Sequence, residues 1–291
     1  MNVGGSLQAE HARAVRGAAV LASADGWERT PLPDPGAAFL LSAVAAPYAV
    51  GATSDGPLVQ RWTGIEWRNE TVPVLPPGGR GATLTGVGPD GVAVGGWFDP
   101  AGGSEEPLLL HRTDTGWIDA GPPDLGFGYV LTAVRAGWAV GHGFPATVLL
   151  RRDGPHWRRV PVPGRPLRPL AVAVHGTDLW ISGARDRDGL IVRFDGRSWK
   201  EFRTGTGAVT VLTASAAGLW GASGATLLRW TGRRWSPSDA PFPVNALTTT
   251  AGGLTAAGAG EAASFDGRSW TIRELPGTWL GADENWLVGS V

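Results

Sequence analysis

The residues best equipped for chemistry gather at Gly96 to Pro107 (GWFDPAGGSEEP), where Trp97 and Phe98 precede three carboxylates, Asp99, Glu105 and Glu106. Such a run serves as a lid carrying a general base, or as oxygen ligands for a hard cation such as Ca2+ or Mg2+. Its ordinary counterpart is a solvated insertion whose rings fold over the rim of the molecule. His142 is the acid–base candidate because an imidazole titrates near neutrality, with Asp99 or Glu105 as the carboxylate that exchanges protons with it. Arg80 and Arg165 offer planar forks for a ligand carboxylate or phosphate. Trp97, Phe98, Phe127, Tyr129, Phe144 and Trp279 supply the apolar wall that small-molecule sites need.

Other chemistries are disfavoured by what the chain lacks. It has no cysteine, which removes disulfides, thiolate metal sites and cysteine catalysis. His11, His111, His156 and His175 are spaced so that they do not share one mouth with His142, against iron or zinc held by imidazoles. No nucleophile elbow, phosphate loop or dinucleotide fingerprint is present. No cofactor is expected, apart from the option of a carboxylate-held Ca2+ or Mg2+.

These side chains are positioned by a repeat. Trp27, Trp67, Trp117, Trp157, Trp199, Trp235 and Trp270 each follow a Gly-bearing turn, at spacings of 40, 50, 40, 42, 36 and 35 residues. First strands read as Leu41 to Val44, Leu84 to Val87, Leu131 to Val134, Ala171 to Val174, Leu212 to Ser215, Leu247 to Thr250 and Leu280 to Asp283. Second strands follow a tight turn, as in Tyr48-Ala-Val-Gly51, Val92-Ala-Val-Gly95, Trp138-Ala-Val-Gly141 and Trp286-Leu-Val-Gly289. Third strands run into the turn before the repeat Trp, and fourth strands start at it. A period near 40 with four short strands per unit predicts an all-β, seven-bladed β-propeller of four-stranded antiparallel blades. Residues 1–15 read as a tail and 16–291 as one domain, with blades at 277–291 plus 16–33, 37–73, 82–122, 129–163, 167–204, 208–240 and 244–275. The first blade is thus shared between the termini, which closes the ring. Long connections, 96–107, 142–146, 184–189, 73–82, 120–128 and 162–167, fall at one end of the sheets, so the candidate site is expected there.

The turn Asp153-Gly-Pro-His-Trp157, repeated as Asp195-Gly-Arg-Ser-Trp199 and Asp266-Gly-Arg-Ser-Trp270, resembles the Asp-box (BNR-like) repeats of bacterial β-propellers. Thr63-Gly-Ile-Glu-Trp67 and Thr231-Gly-Arg-Arg-Trp235 carry Thr at the same place, and the resemblance spans residues 16–291. It implies that the motif lies on the hairpin between strands three and four, with the carboxylate capping the turn and the Trp packed between blades. The Asp-to-Trp spacing is tighter than in the full box and its Ser/Thr position is missing, so the resemblance bears on fold and not on activity. The sialidases of that family use a Tyr nucleophile, and Tyr48 and Tyr129, the only tyrosines, sit at ordinary repeat positions.

Composition narrows the function classes. Net charge is -1 with 18% charged residues, which argues against nucleic acid or an acidic membrane as partner. Lys200 is the single lysine among 25 basic residues, a bias of high-GC, actinobacterial coding. The apolar run Gly17 to Ala24 is short for a signal-peptide core and occupies a third-strand position, so an unprocessed cytoplasmic protein is expected. The expected function is a binding protein that takes a small molecule or a protein partner on its long-loop face. An enzyme of bacterial specialised metabolism, of lyase, cyclase or isomerase type, is the alternative, and a carbohydrate-binding propeller is the third class.

Overall fold

A computed structural model describes residues 16–23, 26–73, 79–123, 125, 128–143, 146–216, 218–250 and 253–291. Every helix or strand element in them is a strand, as short apolar alternations between Gly- and Pro-bearing turns dictate. The N-terminal hairpin is β1 (Gly17–Ser23) and β2 (Gly26–Thr30). Five four-stranded antiparallel sheets follow. The first holds β3 (Phe39–Ala45), β4 (Tyr48–Thr53), β5 (Pro57–Trp62) and β6 (Trp67–Glu70). The second holds β7 (Arg80–Gly88), β8 (Val92–Asp99), β9 (Ser104–Thr113) and β10 (Gly116–Asp119). The third holds β11 (Tyr129–Arg135), β12 (Trp138–Gly143), β13 (Ala146–Asp153) and β14 (His156–Arg159). The fourth holds β15 (Arg168–His175), β16 (Asp178–Arg185), β17 (Asp188–Phe194) and β18 (Trp199–Arg203). The fifth holds β19 (Val211–Ser215), β20 (Gly218–Ser223), β21 (Thr226–Trp230) and β22 (Trp235–Asp239).

The remaining strands are β23 (Ala246–Thr250), β24 (Gly253–Ala257), β25 (Ala259–Phe265), β26 (Trp270–Asp283) and β27 (Trp286–Ser290). They join the N-terminal hairpin in one seven-stranded sheet of order β2-β1-β27-β26-β25-β24-β23. That sheet is large because β26 serves twice: Trp270 to Glu274 pair with β25, and Thr278 to Asp283 pair with β27. Both chain ends meet in it, since β1 pairs with β27, and Arg16 and Val291 exchange backbone hydrogen bonds of 3.3 and 3.0 Å.

Each sheet is apolar on both faces, so the core is a series of slabs between neighbours. Ala93, Leu108 and Leu110 pack with Tyr48, Val50 and Val59 of the first sheet, whereas Val92, Val94 and Leu109 pack with Leu131, Val148 and Leu150 of the third. Slabs of the same kind follow around the molecule. First strands touch in succession, β3 with β7, then β11, β15, β19, β23 and β26, and β26 lies against β3. The architecture is all-β, repeated and propeller-like.

Two local devices explain the repeat residues. First strands β3, β7, β11, β15 and β26 each carry a register shift beside the glycine of the second-strand motif. At Gly51, Gly95, Gly141, Gly183 and Gly289 a Cβ would collide with a first-strand carbonyl oxygen, of Leu40, Thr83, Val130, Arg168 and Thr278 respectively. The bulge brings that backbone close, and only glycine fits. The repeat tryptophans pack between sheets: Trp67 sits edge-on to Trp286 at 4.9 Å, and Trp117 edge-on to Tyr48 at 5.2 Å. Asp195 caps its turn by accepting from the amides of Arg197 (2.9 Å) and Ser198 (2.7 Å), and Asp266 does the same for Arg268 and Ser269.

Three segments expected to be loops are strands. Residues 96–107 are the continuation of the β8–β9 hairpin, reduced to a turn at 100–103. Residues 184–189 are the β16–β17 hairpin, turning on Asp186 at φ 58° and Arg187. His142 lies within β12, opposite Val130 and Thr147. The ladders run past the apolar positions because neighbouring sheets support them: Trp97 packs against the first slab, and a Cβ at Gly96 would meet Val130 Cγ1 at 2.6 Å.

Candidate functional site

The extended β8–β9 hairpin sorts its polar residues by face. Arg80 is opposite Phe98 and Phe98 is opposite Glu105, so these three side chains form one cross-strand row. Trp97 and Asp99 project from the other face. Trp97 is half-buried against the core slab between the first and second sheets, and Phe98 is exposed. Asp99 is occupied by its own turn, accepting from the amides of Ala101 (2.9 Å) and Gly102 (3.0 Å). Glu106 accepts from the Ser104 hydroxyl at 2.8 Å. Of the three carboxylates, Glu105 alone stands in the row with Arg80 and Phe98.

His142 is half-buried and its Nδ1 is fully buried without a protein hydrogen-bond partner. Burial lowers its pKa below 6.5, the Arg168 guanidinium lowers it further, and Glu105 partly opposes both. The imidazole is therefore neutral at pH 7. The structure thus brings together His142, Glu105 and Arg168 from three successive sheets. Arg168 was not among the expected site residues, although it opens β15 as Arg80 opens β7, an edge-of-strand position that signals it.

The remaining expected residues part company. Arg165 pairs with Asp186 at 3.3 Å, and both side chains are about three-quarters exposed (74% and 75%), where such a pair contributes little. Its connection is held by Arg185, which grips Glu201 at 2.8 and 2.7 Å and donates to the Arg165 carbonyl at 2.7 Å. That bidentate pair raises the Arg185 pKa and lowers that of Glu201. Tyr129 lies opposite Gly143, with the Arg159 guanidinium 5.9 Å from its ring centroid. Ala146, Thr147, Arg159 to Val162, Gly164 and Pro166 line an open groove of about 470 Å3 beside the strand of His142. Thr147 closes one wall by donating to the Leu167 carbonyl (2.7 Å) and accepting from its amide (2.8 Å).

Trp279 is a correction. It is 0% exposed and donates from Nε1 to the Leu275 carbonyl at 2.9 Å, so it belongs to the core and cannot stack on a ligand. Phe127 and Phe144 lie outside the described residues. Among the described residues no three His, Asp or Glu side chains are grouped to hold a metal ion. Among the described residues no helix is long and apolar enough to cross a membrane.

No protein-family model matches the chain, and no curated protein does. Solved structures do match. A chain in the crystal structure of a nidogen/laminin complex aligns at TM-score 0.51 and 14% identity, over 75% of this chain and 89% of that one. The extracellular domain of the putative one-component system BT4673 from B. thetaiotaomicron aligns at TM-score 0.54 and 9% identity, over 89% of this chain. This chain spans 39% of that second structure. At such identities the likeness is one of fold alone.

Proposed function

We propose that residues 16–291 form a seven-bladed β-propeller, closed by a blade shared between the termini, that binds a small ligand bearing a carboxylate or phosphate at the end where Arg80, Phe98, Glu105, His142 and Arg168 lie. Seven core slabs, the return of β26 to β3 and the β1–β27 pairing support the closed ring. The binding reading rests on two strand-opening arginines, Arg168 near a neutral, half-buried imidazole and Arg80 opposite an exposed aromatic ring, a few polar groups around an apolar surface. Arg80 has no ion pair among the described residues, which leaves its fork for a ligand anion.

A thermal-shift screen of small carboxylates and phosphate esters, followed by calorimetry, tests this. Arg80→Ala and Arg168→Ala are each expected to weaken a stabilising ligand by about 1.5–3 kcal/mol, the range for hydrogen bonds to charged groups, while His142→Ala has little effect. Unchanged binding in both arginine variants would place the site elsewhere. One observation favours the enzyme alternative: a neutral imidazole close to Glu105 is equipped as a general base. For that reading, His142→Ala lowers turnover by roughly 10²–10⁴-fold with binding retained.

A further inference from the structure

The third sheet is a basic sector in a nearly neutral protein. Residues 129–163 contain five arginines, one aspartate and no glutamate, against a net charge of -1 for the whole chain. Three of those arginines share one face at the short-turn end, away from His142. Arg135 is opposite Trp138, Trp138 is opposite Arg151, and Arg151 is opposite Arg158, a single row from β11 to the outermost strand β14. Arg151 and Arg158 are exposed, and the Arg151 guanidinium lies 5.2 Å from the Trp138 ring centroid.

Like charges directly opposed across a ladder are destabilising, and the two other opposed cationic pairs among the described residues each have a carboxylate partner. Arg61 faces Arg68 in the first sheet, where Glu70 lies 3.9 Å from Arg61 and Glu66 lies 2.7 Å from Arg68. Arg193 faces Lys200 in the fourth, where Asp178 holds Arg193 at 2.7 Å. No carboxylate among the described residues forms an ion pair with Arg135, Arg151 or Arg158. Asp153, two residues from Arg151, makes none, and Asp195 on the next sheet is taken up by its own turn. The fold tolerates an uncompensated cationic pair at the outer edge of one sheet.

That edge is open, because β14 is the terminal strand of its sheet. A fifth strand added there would place one of its side chains directly opposite Arg158, continuing the row, and a second, two residues along, opposite His156. We propose that this edge is a docking site for an extended acidic segment of a protein partner, which adds to β14 as a strand and sets carboxylates at alternate positions against His156, Arg158 and Arg151. Charge supplies the selectivity and the free backbone groups of β14 supply the register.

The test uses two labelled eight-residue peptides of identical composition, one alternating Glu with Thr and one with its glutamates in a single block, titrated by fluorescence anisotropy at low salt. The alternating peptide is expected to bind at least 10-fold more tightly than the block peptide. Arg151→Glu and Arg158→Glu should each reduce that binding 10-fold or more, while Arg233→Glu, in an exposed turn of the fifth sheet, leaves it unchanged. Arg158→Glu should also raise the melting temperature, because it converts an opposed like-charge pair into an opposite one. Equal binding of the two peptides, no binding of either, or inorganic polyphosphate occupying the same arginines in place of the peptide would overturn strand addition.

Discussion

At the scale of single residues, His142 couples the candidate site to pH. Its folded pKa is lowered below 6.5, first by burial and then by Arg168, so the unfolded chain binds a proton that the folded chain does not. The stability gained by keeping it neutral is fully present above pH 6.5 and is lost as pH falls through the lower folded value. His111, lowered by burial and by Arg152, whose guanidinium nitrogen lies 2.7 Å from its Nε2, acts in the same direction. We expect urea midpoints to fall on acidification from pH 7 to 5, with a flatter profile in the His111→Gln/His142→Gln variant. In NMR titrations, Arg168→Ala should raise the His142 pKa and Glu105→Gln should lower it further. A His142 that ignores both changes would separate it from the cluster. The tryptophans give a second measurement. Trp157, 7% exposed in the slab between the second and third sheets, should cost about 3–5 kcal/mol on replacement by Ala. Trp97, half-buried at the edge of its slab, should cost clearly less but more than an exposed ring, as read by equilibrium unfolding.

At the scale of elements, the bulge-and-glycine pair sets how each first and second strand meet. Gly141→Ala would press a Cβ into the Val130 carbonyl and to 2.9 Å from Leu131 Cα, both backbone groups with little freedom to yield. A loss of about 3 kcal/mol is expected, the upper part of the overpacking range. Gly154→Ala places its Cβ in open space at φ 59°, and should cost only the left-handed backbone penalty of about 1–2 kcal/mol. Equal losses in urea unfolding would show that backbone conformation, not the bulge contact, explains the second-strand glycine. In the turns, the amide and hydroxyl of Ser198 and the amide of Arg197 hold the Asp195 carboxyl down at about 2. A depressed carboxyl contributes stability above its unfolded value near 3.8, and that contribution is lost as pH falls through about 2. Ser198→Ala should raise the Asp195 pKa, measured from its carboxyl carbon shift.

At the scale of the whole molecule, the chain ends share a sheet. Deleting residues 1–33 removes β1 and β2, strips β27 of one of its two partners and bares the faces that Ala19 and Val20 cover. Deleting 1–14 removes none of the described residues. The long truncation should lower the melting temperature sharply and expose a strand edge that promotes self-association, whereas the short one should leave both melting and sedimentation unchanged. If the two truncations melt alike and stay monomeric, the terminal pairing does not hold the molecule together.

Much of this was legible in the residues alone. The strand order, the four-strand period, the slab-forming alternation and the meeting of the two ends follow from apolar patterning and Gly-bearing turns, which are local properties of a chain. The repeat glycine was visible, but its cause was not, because the carbonyl it avoids belongs to a bulge in a neighbouring strand. The glycine-rich, acidic run at 96–107 reads as a loop by composition, and only support from adjoining sheets makes it a ladder. That ladder then divides its side chains by face, sending Phe98 and Glu105 into the row with Arg80 and leaving Asp99 to cap a turn. Trp279 and Arg168 exchanged roles for the same reason: burial and cross-sheet proximity are set by which strands pack together, a relation between distant segments that sequence spacing does not encode.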